Sequence, residues 1–270
     1  MKKPDKNRTN GWTLLEMMMS IGIFVLAGGM IYTGLNTATV LYAKNTSINT
    51  AHSQMIKALE RMTRDVHASA SCPQLVDVNR GSTTGPAAGV TIQPVTAGPF
   101  ALSSLSTVSG SGKLTILTGS SPKPQVGQRV VCPAVLVEDY ITAVAANATN
   151  PLTQTDLTTA NSIWTTASLG TNLYYPVYIT NKSAYVINGD ELRYYPVSTG
   201  RSNDSYVVLA RGVTTPTPFT LVSSAGTAAS STIAATLAVT DPTFNQRGYQ
   251  ATDISVSVQI PYRSRIATYP

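Results

Sequence analysis

Glu16 is the one carboxylate in a long apolar run, "NGWTLLEMMMSIGIFVLAGG", which spans residues 10 to 29. A charge at the centre of a lipid-embedded helix costs on the order of 3 kcal/mol, and less near an end. Something should therefore compensate it. If the chain is cut between Gly11 and Trp12, Trp12 gains an α-amino group. Glu16 then lies four residues on, one turn away on the same helix face. A cationic terminus, on this helix or on a neighbouring one, can neutralise Glu16 inside lipid.

Other chemistry-bearing residues offer less. The two histidines, His52 and His67, fall on one predicted helix. His52 is expected to pack on its apolar stripe, and His67 to be a solvated helix-end residue favoured by the C-terminal dipole. No nucleophile-elbow motif accompanies either, so enzyme activity is not expected. "SGSGKLT", residues 109 to 115, fails the phosphate-loop pattern, because Thr107 replaces the first glycine and Leu114 the Mg²⁺-binding hydroxyl. It reads as a flexible loop. The stretches "NGDELR" and "RSND" could donate oxygens to Ca²⁺, but they lack the spacing of a calcium loop and are explained by turn chemistry. No cofactor is expected. Cys72 and Cys132 have no CxxC or Cys/His partner, so a metal site is not expected. In an oxidising compartment they could form one disulfide, worth roughly 4 kcal/mol by loop entropy. Two buried thiols are the alternative.

The elements that must hold these residues follow from patterning. No charge occurs between Glu16 and Lys44, and Met17 to Leu35 suffices to cross a hydrocarbon layer of roughly 30 Å. Lys2, Lys3, Lys6 and Arg8 against Asp5 put half of the net charge of +6 into the first ten residues. That basic stub predicts a cytoplasmic N-terminus with the bulk of the chain outside. A secretory signal peptide is the competitor, but "NTATVLYAKNTSINTAHSQ" offers no clear cleavage context and reads as more helix. The remaining charge is thinly spread, so nucleic-acid binding has little support.

Beyond the apolar run, Ile48, His52, Met55, Leu59, Met62 and Val66 step by fours and threes, marking one face of a helix that ends before Pro73. From residue 74 onward the signals are strands. "DISVSVQIPY" alternates cleanly, and "AYVINGDELRYY" places Asn188-Gly189 between two strand-like runs as a hairpin. Four stretches rich in Gly, Ser, Thr and Ala, at 81–89, 97–112, 143–170 and 223–231, are expected to be surface loops or insertions. Only 12% of residues are charged and mean hydropathy is slightly positive, as in extracytoplasmic bacterial β proteins. The expected fold class is α+β: a long N-terminal helix, apolar in one half and amphipathic in the other, packed on a C-terminal antiparallel sheet domain. The expected organisation is a leader at 1–11, a transmembrane half-helix at 12–35, an amphipathic half at 36–70 and an exported β-rich domain at 71–270.

"G-WTLLEMMMSIGIF" resembles the class III signal of type IV pilins and type II secretion pseudopilins. "ALERMTRDV" is similar to the end of the long helix in J-type minor pseudopilins, and W-type minor pilins look alike there. The resemblance implies cleavage after Gly11 by a prepilin peptidase and N-methylation of Trp12. It also implies pairing of Glu16 with a neighbouring subunit's terminus during assembly. The implied partners are other pilin or pseudopilin subunits, the peptidase and the inner membrane, with no small-molecule substrate. The implied location is a single-pass inner-membrane protein with a periplasmic or extracellular domain, later incorporated in a filament for protein transport. Trp12 departs from the usual phenylalanine or methionine. Thr33 and Gly34 stand where major pilins commonly carry proline, which favours a minor pilin or pseudopilin. The alternatives are a minor type IV pilin with an adhesive or DNA-uptake role, and an anchored periplasmic protein of another function.

Overall fold

The computed structural model describes residues 13–108, 110–119, 123–132, 137–161, 164, 176–223, 230–240 and 254–263. The chain divides into two compact units, Met1–Ser47 and Ile48–Pro270. A single α-helix among the described residues, α1, runs from Leu14 to His67. It is followed by β1 (Gln74–Val76), β2 (Gly89–Ile92), β3 (Val95–Phe100), β4 (Leu102–Val108) and β5 (Ser111–Leu117). Next come β6 (Arg129–Cys132), β7 (Val137–Ala146), β8 (Gln154–Thr159), β9 (Val177–Thr180) and β10 (Ser183–Asn188). The last are β11 (Glu191–Tyr195), β12 (Val207–Arg211), β13 (Phe219–Ser223), β14 (Ser230–Val239) and β15 (Ile254–Arg263). Every pairing between these strands is antiparallel. The chain is thus α+β, with an apolar N-terminal helix and antiparallel sheets.

In the second unit, the end of α1 is amphipathic, and its apolar stripe finds a sheet. Ala51, Met55, Ala58, Leu59, Met62 and Val66 are buried, at the three- and four-residue steps that bring side chains onto one helix face. They share a core with Val90, Tyr185, Leu192 and Tyr194 of a five-stranded sheet ordered β1-β2-β10-β11-β12. Phe219, Ile233, Leu237 and Ile260 of a three-stranded sheet, β13-β14-β15, join the same core. Full burial of a side chain such as Met62 stabilises by about 1.5–3 kcal/mol, so this stripe dominates helix docking. His52 is a correction: it is exposed, and the adjacent Ala51 fills the buried position. The helix phase set by Met55, Met62 and Val66 puts residue 51 inward and turns residue 52 to solvent.

A buried polar contact fixes the helix on the sheet. The fully buried Tyr185 donates its hydroxyl proton to Asp65 Oδ2 at 2.6 Å. Its ring lies 4.8 Å from that of Tyr194, over which the Arg61 guanidinium stacks at 4.0 Å. The other face of the five-stranded sheet buries Val76, Ala184, Val186 and Tyr195. Arg80 closes that face: it stacks on Tyr195 at 4.2 Å, pairs with Asp204 at 3.1 Å and donates to the Arg201 carbonyl.

The predicted hairpin is present. Asn188 pairs with Glu191, so the two-residue connection is Gly189-Asp190, one position later than the Asn-Gly dipeptide suggests. Gly189 has φ 65°, the left-handed conformation that a tight connection requires of its first residue. β15 alternates as read from the sequence, with Ile254, Val256, Val258 and Ile260 turned to the core side and Ser255, Ser257 and Gln259 exposed. Gly89 is required by close packing: a Cβ there would stand 2.6 Å from the Tyr185 carbonyl oxygen.

The second core was not expected. Strands β3 to β9 form a sheet ordered β3-β9-β6-β7-β8-β5-β4. Its two ends, β3 and β4, are separated in the chain by Ala101 alone. They act as one bent strand, and the sheet therefore closes into a small barrel. The barrel encloses Phe100, Leu114, Ile116, Val130, Ile141, Leu157, Trp164 and Ile179. Two of the stretches expected to be loops contribute strands here: 97–112 contains β4, and 143–170 contains β8. Ser and Thr dominate β4 and recur along β8, so their alternation is muted, although Thr suits a pleated surface well. Leu157, Thr155 and Thr159 are nonetheless buried.

Candidate functional site

The first unit presents the feature with most to do chemically. Between residues 14 and 47 no side chain of α1 is buried. Leu14, Phe24, Met30 and Tyr32 are 72–80% exposed. The segment is long and apolar enough to cross a membrane. Isolated apolar side chains on a protein surface are ordinary, but an unbroken apolar cylinder in water is not. Threonine hydroxyls within it are satisfied by the helix itself. Thr33 Oγ1 donates to the carbonyls of Gly29 at 2.9 Å and Met30 at 3.0 Å, and Thr37 Oγ1 donates to that of Thr33 at 2.8 Å. Such bonding suits a helix surrounded by hydrocarbon.

At its mouth, Glu16 is held by a reciprocal cap. Thr13 donates its backbone N–H to Glu16 Oε2 at 3.0 Å and its hydroxyl to the same oxygen at 3.1 Å. Glu16 in turn donates its N–H to Thr13 Oγ1 at 3.3 Å. This is a capping box, which satisfies helix-start donors that lack intrahelical partners. The carboxylate also sits at the positive end of the helix dipole. The acid therefore has a local reason for its position, besides any pairing with an amine. The Thr-x-x-Glu spacing of Thr13 and Glu16 signals this from sequence. Gly11 and Trp12, the predicted cleavage and methylation positions, lie outside the described residues.

The remaining predicted positions are dispersed. Cys72 is half-buried against the core under α1, whereas Cys132 is buried inside the barrel. The structure does not join them by a disulfide. His67 is exposed at the end of α1, as expected. The "SGSGKLT" stretch is not a loop throughout, because Ser111 to Thr115 lie in β5. The acidic stretches are bound by cations and turns. Glu191 meets Arg193 at 2.9 Å and Arg211 at 3.3 Å. Asp204 accepts from the Thr199 N–H at 2.8 Å and pairs with Arg80. Burial alone would raise the Asp204 carboxyl, but the Thr199 hydrogen bonds and the Arg80 charge outweigh it and hold the group below the usual range. Among the described residues, no group of three His, Cys, Asp or Glu side chains could hold a metal ion.

Two polar clusters escaped the sequence reading. Asp156 in the barrel accepts from Thr115 and Asn147, both at 2.8 Å, and pairs with Lys113 at 3.1 Å. Buried Gln93 bonds to Ser69, Glu138 and Thr180. Both bring together residues far apart in the chain, and no local pattern announces them. No protein-family model matches the chain, and no curated protein or solved structure matches it either.

Proposed function

We infer that the chain is a structural subunit of a type II secretion or type IV pilus-like filament, in the manner of a minor pseudopilin. The observation that carries this reading is the exposed apolar half of α1 with a single capped carboxylate at its start. Such a helix needs a hydrophobic surrounding. The inner membrane supplies it before assembly, and the packed helices of other subunits supply it afterwards. In this reading residues 1–11 are a leader removed after Gly11, Trp12 becomes the N-methylated terminus, and Glu16 meets an amine as the helix enters the filament. The N-terminus starts in the cytoplasm, and the β-rich part lies in the periplasm or outside the cell. Within the second unit, the Met55–Val66 stripe fastens the end of α1 to the sheets.

Mass spectrometry of detergent-extracted protein tests this. The expected result is a chain beginning at methylated Trp12, and accumulation of the uncut form when Gly11 is replaced by a bulky residue. An intact Met1 terminus in a strain with active prepilin peptidase would overturn the reading.

A further inference from the structure

We propose that strands β3 to β9 form a nested module that unfolds and refolds as its own cooperative unit, within a host domain that keeps the end of α1 docked while the module is open. The inference concerns the second unit alone and does not depend on what the apolar half of α1 enters.

Three observations carry it. First, among the described residues the two large cores share no buried residue. Met62, Tyr185 and Phe219 belong to one, and Leu114, Leu157 and Trp164 to the other. Cooperativity follows shared burial, so separate cores are the physical basis for separate transitions. Second, the host sheet is complete without the barrel. The chain leaves the host at Ile92 and returns at Ser183, and these two residues are antiparallel register partners in β2 and β10. Strands β3 to β9 are thus inserted at a hairpin. Third, the barrel's strand ladder closes on itself through the β3–β4 bend, so it needs no host strand to pair its edges.

Among the described residues, a small polar hinge joins the two, and their apolar cores stay separate. Gln93 donates its N–H to Ser69 Oγ at 3.0 Å and accepts the Ala70 N–H at 2.9 Å. Its side chain bonds to Glu138 of β7 and Thr180 of β9. Val95 donates its N–H to the Ala68 carbonyl at 3.0 Å, beside the end of α1. Each such bond contributes far less than the burial of one core side chain. The hinge therefore orients the barrel without merging the two transitions.

Hydrogen–deuterium exchange on the full chain in detergent, read by peptide, tests the proposal. Leu157→Ala should speed exchange of β5, β6 and β8 by about a hundredfold, with the Met55–Val66 segment and β10–β11 unchanged. Met62→Ala should do the converse. If Leu157→Ala proves too disruptive, Ile116→Val should give the same pattern at roughly tenfold. Equal acceleration of both sets of amides by any of these substitutions means one cooperative unit and overturns the proposal.

Discussion

Replacing Tyr185 by phenylalanine should loosen the docked end of α1 in a way that can be worked out in advance. The substitution deletes one oxygen from a fully buried side chain and removes its 2.6 Å bond to Asp65. A hydrogen bond to a charged acceptor contributes about 1.5–3 kcal/mol. The Asp65 side chain is 21% exposed, and Arg61 Nε stands 4.0 Å away, so the abandoned carboxylate can still recruit water and a cation. The loss therefore belongs at the low end, about 1.5 kcal/mol. For a unit of this size that lowers the melting temperature by about 3–6 °C. Urea titration followed by circular dichroism reads it as a shifted midpoint at constant slope. In a double-mutant cycle with Asp65→Asn the coupling should be about 1 kcal/mol. The effect also depends on pH. Burial first, and then the Asp65 hydrogen bond, push the Tyr185 hydroxyl far above its ordinary value. A folded-state value above the unfolded one means that the contribution is complete below pH about 10 and is lost as pH rises beyond it, because the unfolded tyrosine ionises while the folded one does not. The difference between wild type and Tyr185→Phe should shrink along the alkaline limb. A variant as stable as wild type at neutral pH, or a coupling of zero, would refute this account of helix anchoring.

Two further outcomes are expected. Glu16→Gln retains the acceptor of the capping box while removing the charge, whereas Glu16→Ala removes both and should fray the start of α1 at a cost of about 1 kcal/mol. If charge pairing drives assembly, both variants are processed normally yet enter filaments poorly. Incorporation of the glutamine variant at the wild-type level, scored by filament shearing and immunoblotting, leaves only the cap as the reason for the acid. At low pH, Asp204 and Asp156 both sit below the ordinary carboxylate range. A depressed folded-state value gives stability that is present above about pH 4 and lost as pH falls through the folded value. Asp204→Asn should flatten the acid limb of the stability curve, and an unchanged limb in acid titrations would show that Arg80 does not rely on it.

The strong local periods were readable. A long charge-free run, a three-and-four apolar stripe and a clean strand alternation each encode an element over a few neighbouring residues. These sufficed for α1, β15 and the β10–β11 hairpin. The nested barrel was not readable as a unit. Its Ser-, Thr- and Ala-rich strands resemble loops in one dimension, and their burial depends on partners such as β8 against β5 that lie some forty residues apart. The His52 expectation failed for a smaller reason: a helical stripe read from sequence tolerates an error of one position, and only the opposing sheet selects the residue that faces it.

By itself, then, the sequence determined that an apolar helix begins at a lone acid and that strands follow, because helix and strand periods and charge distribution are local properties. The tertiary structure decided that Tyr185 reaches Asp65, that Ala51 rather than His52 faces the sheets, and that strands β3 to β9 surround a core of their own. Those outcomes rest on which distant groups come within van der Waals and hydrogen-bonding reach, and that reach exists only after the chain has folded.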